Sequence, residues 1–184
     1  DKTVLHYKVK EKKIALLDED DVKQQYDILV KTLEEKGYIN YEFSNFGKQN
    51  YFSINNQNYW KGKSYLGLGP SAHSYDGKSL RSWNISNNHN YAKSVSSGVL
   101  DRKTEKLSTK DLYNEYLMTA LRTHEGASKV YIKNFFGKRY ALYIEDQVKR
   151  HLKYRNVFWD GDYLKVAKKS KFLTDGIAAD LFLV

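Results

Sequence analysis

The stretch "SYLGLGPSAHSYDGKSLRSWN" (residues 64–84) holds three glycines, the only proline of the chain, a histidine and a tryptophan. The two leucines that flank Gly67 are apolar and are expected to be buried, yet the glycines and the proline disfavour a regular helix or a central strand. Asp76-Gly77 is a strong signal for a tight hairpin. We therefore expect "SLRSWNI" (79–85) to form a strand that pairs with the residues before this turn.

His73 follows this glycine-rich segment, where the backbone can approach a ligand closely. An imidazole at this place can donate a hydrogen bond or bind a metal, although a lone histidine is more often structural. Tyr59 and Trp60 form a candidate stacking platform for a flat ligand or for bases, with core packing as the alternative. By themselves these residues do not indicate an enzyme, because the sequence has no phosphate-binding loop, nucleophile elbow or metal-ligand spacing such as H-E-x-x-H.

The composition limits the classes of protein to consider. The 184 residues include no cysteine, which excludes disulfides, thiolate zinc sites and iron–sulfur ligation by this chain. No apolar run approaches the roughly 20 residues of a membrane span, and no signal-peptide pattern opens the chain, so we expect a cytoplasmic protein without a transmembrane segment. Asp1 is not an initiator methionine, and we expect the chain to be a piece of a longer protein.

The net charge of +9 is distributed unevenly. Residues 101–184 carry 17 Lys and Arg against 11 Asp and Glu, whereas residues 1–100 carry 14 against 11. The densest basic patch runs from Lys129 to Arg155. A basic face of this kind binds nucleic acid, an anionic ligand or an acidic partner, or is only a solvated lysine-rich surface.

Residues 1–100 carry the signals of a mixed α and β segment. Four acidic residues at 18–21 place negative charge at the start of a helix predicted over 19–37, with Gly37 as its C-terminal cap. Residues 38–43 then alternate as a strand does. The remaining interpretations for this region are a long connection at 44–69, a short helix at 88–97 and a linker at 101–107.

Residues 101–184 indicate a second, helical unit. Ser108 and Asp111 resemble a capping box ahead of a helix with regularly spaced apolar residues. A further helix is predicted over 138–153, Asp160-Gly161 is the turn of a hairpin, and Thr174 is predicted to cap the last helix. Helices followed by a two-stranded wing are typical of a winged-helix-like domain. We therefore predict an α+β fold with a division near residues 100 and 101.

Several stretches of the chain resemble one family. They are, in chain order, "YEFSNFG" (41–47), "NNQNYW" (55–60), "YLGLGPSAHSY" (65–75), "RSWNI" (81–85), "LRTHEG" (121–126) and "FLTDGIAADLF" (172–182). Together they resemble the C-terminal half of the oxygen-independent coproporphyrinogen III oxidase-like radical SAM proteins, and they occur in that family's order. "KTVLHYKVKEKKIALLDEDD" (2–21) is similar to the stretch that follows the last strands of the family's barrel.

The resemblance implies that residues 1–100 extend a TIM-type radical SAM barrel lying outside this chain, and that residues 101–184 form a small C-terminal domain. That N-terminal barrel would hold a [4Fe–4S] cluster on cysteine thiolates and would bind S-adenosylmethionine. The resemblance also implies that the L-G-x-G-x-S-A segment contacts S-adenosylmethionine or substrate. The cofactor-binding candidates are Gly67, Gly69, Ala72 and His73, together with Asn56, Tyr59 and Trp60.

Two branches of the family differ in activity. The oxidases decarboxylate two propionates of coproporphyrinogen III to vinyl groups and yield protoporphyrinogen IX, whereas the HemW-like branch binds heme and hands it over. "YEFSNFG" and "NYW" resemble the chaperone branch, whose motif at 55–60 is H-N-x-x-Y-W. Asn55 stands where that motif has its histidine, and an amide cannot replace imidazole as an iron ligand.

The resemblance therefore implies the C-terminal portion of a heme chaperone that contributes to the ligand site and is not catalytic alone. Its expected partners are its own N-terminal barrel, heme or another tetrapyrrole, and an unknown heme-acceptor protein. An oxygen-independent coproporphyrinogen III oxidase is the alternative. A winged-helix nucleic-acid-binding protein is a more remote one, and we expect neither nucleic-acid binding, nor catalytic residues, nor a metal site within this chain.

Overall fold

Two helices open the part of the chain that the computed structural model describes, residues 3–184. They are α1 (Val4–Lys10) and α2 (Glu19–Glu35). The carboxylate of Asp18 caps α2 by accepting a hydrogen bond from the backbone N–H of Asp20 at 2.8 Å, and three acidic residues occupy its first turn. The helix predicted over 19–37 is thus confirmed, since negative charge at its start favours the positive end of the helix dipole.

A short hairpin and a third helix follow. Strands β1 (Ile39–Glu42) and β2 (Asn45–Gly47) pair antiparallel, and α3 (Ile54–Trp60) is capped by the hydroxyl of Ser53. The segment 44–69 was expected to be a long connection, and this expectation is wrong in part. A helix of seven residues has little stability of its own, so its formation depends on tertiary contacts that a local pattern does not reveal.

The glycine-rich stretch leads into a three-stranded antiparallel sheet. Strand β3 (His73–Tyr75) pairs with β4 (Leu80–Asn84), as the Asp76-Gly77 signal predicts, and α4 (Asn88–Ser96) connects β4 to β5 (Arg102–Lys106). The interpretation of residues 101–107 as a linker is wrong, because β5 pairs with β4 along its whole length. Its five residues are all exposed, and charged side chains on an exposed edge strand discourage pairing with other chains.

The C-terminal region begins with α5 (Thr109–Arg122), and the predicted capping box is present: Ser108 and Asp111 cap each other's backbone N–H groups. The remaining elements are β6 (Ala127–Ser128), α6 (Lys129–Tyr131), a π-helical turn over 132–136, α7 (Lys138–Gln147), α8 (Lys149–Lys153), β7 (Val157–Asp160), β8 (Tyr163–Val166), a 3₁₀ helix over 168–173 and α9 (Thr174–Asp180). Strand β8 lies between β6 and β7, and the hairpin at Asp160-Gly161 is confirmed.

Two local predictions in this region need correction. The helix predicted over 138–153 is interrupted at Val148, between α7 and α8. Thr174 does not cap α9 but is its first residue, and its hydroxyl donates a hydrogen bond to the Lys171 carbonyl at 2.6 Å. The 3₁₀ helix that precedes Thr174 already supplies helical geometry, so no extended capping residue is needed.

The hydrophobic core lies in the C-terminal region. Fifteen buried apolar residues between Tyr113 and Leu181 form one cluster, to which α5, α7, α9 and β8 all contribute. Strand β1 connects the elements before residue 108 to the C-terminal region, since its Glu42 pairs in an isolated bridge with Thr123. The mixed α and β class is confirmed, and the division near residues 100 and 101 stays a prediction.

Candidate ligand-binding site

The glycine-rich turn is held by buried polar groups. The side-chain amide of Asn84, on β4, donates hydrogen bonds to the carbonyls of Gly67 (3.3 Å) and Gly69 (2.9 Å). The backbone N–H of Gly69 donates to the hydroxyl of Tyr91 at 3.0 Å. A Cβ at residue 67 would lie 2.0 Å from the carbonyl oxygen of His73, so only glycine permits this close approach of the two backbones.

His73 lies on the exposed side of the β3–β4 hairpin. Its ring stacks on Trp83, directly across the strand pair, with 5.7 Å between ring centroids. Leu66 and Leu68 do not become buried as expected: 72% and 80% of their surface is exposed. The backbone of the turn faces β4, and these two side chains therefore point outward and leave an apolar surface beside His73.

The residues of the α3 motif contact one another and neighbouring elements of the fold. The Asn56 side chain accepts a hydrogen bond from the indole N–H of Trp60 at 3.1 Å, and Trp60 stacks on the Arg122 guanidinium with 5.2 Å to the ring centroid. Tyr59 is about half exposed and lies 4.8 Å from Tyr65, ring to ring. Asn55 is exposed.

Arg122 joins four of the stretches that carry the family resemblance. Its guanidinium lies between the rings of Phe43 and Trp60, its Nε is 3.5 Å from Glu42 Oε1, and its Nη1 is 3.0 Å from Asp175. The Glu42 side chain is fully buried. Sequence reasoning did not single out this junction, although the signal was present: each partner belongs to a stretch that resembles the family.

A cleft of about 780 Å³ separates α3 and the β3–β4 hairpin from the C-terminal region. Its size falls within the roughly 300–1,000 Å³ of small-molecule sites. Aromatic and polar side chains both line it, and the aromatic ones include Tyr59, Trp60, Tyr65, Tyr75, Tyr116, Tyr131, Phe135, Phe136 and Tyr163. The structure therefore divides the sequence-predicted residues: Tyr59 and Trp60 line the cleft, whereas Gly67, Gly69, Ala72, His73 and Asn56 do not.

Burial raises the pKa of three tyrosines that line this cleft. Desolvation raises the pKa of Tyr116 to about 12, although its hydroxyl accepts a hydrogen bond from the Ser128 N–H at 2.7 Å. Burial also raises the pKa of Tyr75 and of Tyr131. These hydroxyls are thus neutral near pH 7 and act as hydrogen-bonding groups rather than as anionic ligands.

Two absences bear on cofactors. Among residues 3–184, no three His, Cys, Asp or Glu side chains are grouped so that they could hold a metal ion. Since the whole chain lacks cysteine, it offers no thiolate to an iron–sulfur cluster.

Within residues 3–184, no helix is both long and apolar enough to cross a membrane.

Comparison with known proteins identifies the relatives of this chain. No protein-family model matches it. A putative heme chaperone HemW-like protein of Buchnera aphidicola subsp. Baizongia pistaciae is 30% identical over 155 residues, which are 80% of this chain and 39% of that protein. The heme chaperone HemW of Bacillus subtilis is 28% identical over 138 residues, 74% of this chain and 36% of its own length.

This chain is a homologue of HemW and of HemN-like radical SAM proteins. The resemblance found in the six sequence stretches is confirmed. The fold agrees: the Escherichia coli coproporphyrinogen III oxidase HemN, a radical SAM enzyme, superposes with a TM-score of 0.65 at 18% identity, over 88% of this chain and 40% of HemN. The chain spans less than half the length of the curated relatives it matches, consistent with a C-terminal part.

Proposed function

We propose that this chain is the C-terminal part of a cytoplasmic heme chaperone that binds heme and transfers it to an acceptor protein. The observation that carries the proposal is the identity to HemW-like heme chaperones over most of the chain. An aromatic cleft of suitable volume for a flat ligand supports it. The C-terminal region, a winged-helix-like domain in this proposal, would form one wall of that cleft.

The radical SAM chemistry would reside outside this chain. A [4Fe–4S] cluster does not fit these residues, because none of them is a cysteine. In the proposal an N-terminal barrel carries the cluster and S-adenosylmethionine, and the exposed turn around His73 faces that barrel. Leu66 and Leu68, which are exposed here, would be covered by it, and the backbone at Gly67, Gly69 and Ala72 would lie close to its ligand.

An oxygen-independent coproporphyrinogen III oxidase is the second candidate, and the fold shared with HemN is the observation that favours it. The two candidates differ in what they do with a tetrapyrrole. A chaperone binds heme and releases it unchanged, whereas an oxidase converts two propionates of its substrate to vinyl groups.

The deciding experiment uses the intact protein with its cluster reconstituted. Hemin binding is followed by the Soret band, and transfer is followed by mixing the complex with an apo-globin. In parallel, coproporphyrinogen III is incubated with protein, S-adenosylmethionine and reductant, and the products are separated by chromatography. We expect bound, transferable heme and no vinyl product. Vinyl products, or no perturbation of the hemin spectrum, would contradict the chaperone assignment.

A further inference from the structure

His124 is the one histidine among residues 3–184 that lines the aromatic cleft. Both its backbone N–H (3.0 Å) and its ring Nδ1 (3.1 Å) lie within hydrogen-bond distance of the Tyr41 carbonyl oxygen. The edge of the ring also packs against Phe52, with 5.6 Å between centroids. Three contacts from two neighbouring segments thus fix the orientation of this imidazole.

The hydrogen bond to Tyr41 determines which nitrogen is available. A carbonyl oxygen only accepts, so Nδ1 carries a proton, and in the neutral imidazole the lone pair is then on Nε2. No side chain or backbone group of the described residues engages Nε2. A neutral histidine whose Nδ1–H is held by a backbone carbonyl is the usual arrangement of a metal-ligating histidine, because the second hydrogen bond fixes tautomer and ring position.

We propose that heme binds in the aromatic cleft with His124 Nε2 as the axial ligand of its iron. This inference rests on the proposed heme-binding function and adds where and how this chain holds the heme. It also supplies the imidazole that the H-N-x-x-Y-W motif lacks here, since Asn55 carries an amide and is not among the residues that line the cleft.

The walls of the cleft suit a flat macrocycle. Tyr59 and Tyr65 approach each other on one side, and on the other Tyr131 and Phe135 stack with centroids 5.2 Å apart and planes 9° from parallel. Phe135 belongs to the π-helical turn over 132–136, and such turns are frequent at functional sites. Burial raises the pKa of Tyr116 and Tyr131, which disfavours their phenolate forms as iron ligands, whereas the His124 imidazole needs no such ionisation.

The charges at the rim suit two propionates. Arg81 and Lys61 line the cleft but already pair with Glu115 (2.8 Å) and Glu125 (3.1 Å). Lys63 and Lys78 also line it, and neither ammonium group forms a hydrogen bond or a close ion pair among residues 3–184, although Lys78 interacts electrostatically with the Asp76 carboxylate. They come from adjacent turns, since a Cβ at residue 77 would lie 3.2 Å from the backbone nitrogen of residue 64.

The test measures hemin binding to this chain by Soret titration and records the resonance Raman spectrum of the ferrous complex. For His124→Gly we expect loss of the iron–histidine stretching band and affinity weaker by about tenfold or more. Added free imidazole should restore the band. The matched control is His89→Gly, since His89 is exposed on α4 away from the cleft.

Two further variants keep the proposal falsifiable if His124→Gly folds poorly. Thr119→Phe fills the cleft without changing His124 and should also weaken binding. Lys63→Glu combined with Lys78→Glu should lower affinity by at least several-fold, because it replaces the cations proposed for both propionates with carboxylates. Lys93→Glu combined with Lys110→Glu makes the same change in net charge at exposed residues outside the cleft and should leave affinity unchanged.

The outcomes separate this inference from the proposed function. If the parent chain binds hemin and both His124→Gly and Thr119→Phe bind it with the same affinity and the same band, the site assignment is wrong and the chaperone function stands. Loss of the band in His73→Ala instead of His124→Gly would also overturn it and place heme at the exposed hairpin. If the chain and the intact protein both fail to bind hemin, the inference falls together with the proposed function.

Discussion

The regions before and after residue 108 are stabilised in different ways. After residue 108, fifteen buried apolar side chains form one cluster, with Tyr113, Leu117 and Ile144 fully buried. Before it, only three apolar side chains of the described residues are buried, those of Val30, Tyr41 and Leu107. Four polar side chains are buried there, namely Asn40, Glu42, Ser82 and Asn84. The C-terminal region is therefore organised by hydrophobic packing, and the earlier region by hydrogen bonds that shape its turns.

This difference affects how each region is shaped. Buried polar side chains such as Asn84 fix the path of the backbone at particular points, here at the carbonyls of Gly67 and Gly69. An apolar core supplies stability without specifying a surface. Large apolar side chains remain exposed mainly in the earlier region, Tyr51, Ile54 and Leu68 among them. The C-terminal region thus provides a stable wall of the cleft, and the region before residue 108 provides surfaces whose shape depends on hydrogen-bonded turns.

The largest expected effect on stability comes from replacing a leucine with alanine in the C-terminal region, compared with the same substitution in the earlier region. Leu117→Ala should lower the free energy of unfolding by about 2–5 kcal/mol, because it opens a cavity in the core. Leu66→Ala should change it by no more than about 0.5 kcal/mol, because that side chain is mostly exposed. Urea unfolding followed by circular dichroism measures both. Equal losses would show that the two regions do not differ in this way.

A second effect, somewhat smaller, concerns the junction between the regions. Arg122→Leu leaves the fully buried Glu42 carboxylate without its cation and should cost about 3 kcal/mol, the lower end of values for broken buried pairs. The matched control is Arg81→Leu, whose partner Glu115 is 40% exposed, and about 0–1 kcal/mol is expected there.

The Arg122 prediction is checked by urea unfolding with tryptophan fluorescence, since Trp60 and Trp83 report on the earlier region and Trp159 on the later one. The double variant Glu42→Gln with Arg122→Leu should lose less than the sum of the two single variants, because the pair is removed together. Strict additivity would mean that Glu42 and Arg122 do not interact.

The smallest effect is a pH dependence in the hairpin turn. Backbone N–H groups of Leu80, Lys78 and Ser79 donate hydrogen bonds to the Asp76 carboxylate and hold its pKa below the usual range. A carboxyl group whose pKa is lower in the folded state stabilises the fold at any pH above its pKa in the unfolded state, which is about 3.9. This stabilisation is lost as the pH falls through the pKa of the folded state. Asp76→Asn should therefore melt at a lower temperature than the parent at neutral pH, and the difference in melting temperature should disappear in acid. A gap that widens in acid would refute this.

Local sequence signals predicted those elements whose information lies within a few residues. The Asp18 cap with its acidic first turn predicted α2, Ser108 with Asp111 predicted the start of α5, and the two Asp-Gly pairs predicted both hairpins. Edge strand β5 was not predicted, because its sequence has no alternation of apolar and polar residues. It forms a strand only by pairing with β4.

For the candidate site, sequence resemblance found the motifs but not their arrangement. Asn56 and Trp60 were predicted to bind a ligand, which stays a prediction, and the structure adds that they support Arg122, the cation beside the buried Glu42 carboxylate. His124 was not selected, since nothing in "LRTHEG" shows that its Nδ1 meets a carbonyl some eighty residues earlier in the chain.

The sequence by itself determined the family, the absence of thiolate ligands, the two Asp-Gly hairpin turns and the N-terminal caps of α2 and α5. These properties depend on residue chemistry and on contacts between near neighbours. Only the tertiary structure decided that the motifs converge on Arg122, that Leu66 and Leu68 stay exposed, and that His124 borders an aromatic cleft. Those features arise from contacts between residues far apart in the chain, whose pairing is set by packing rather than by local pattern.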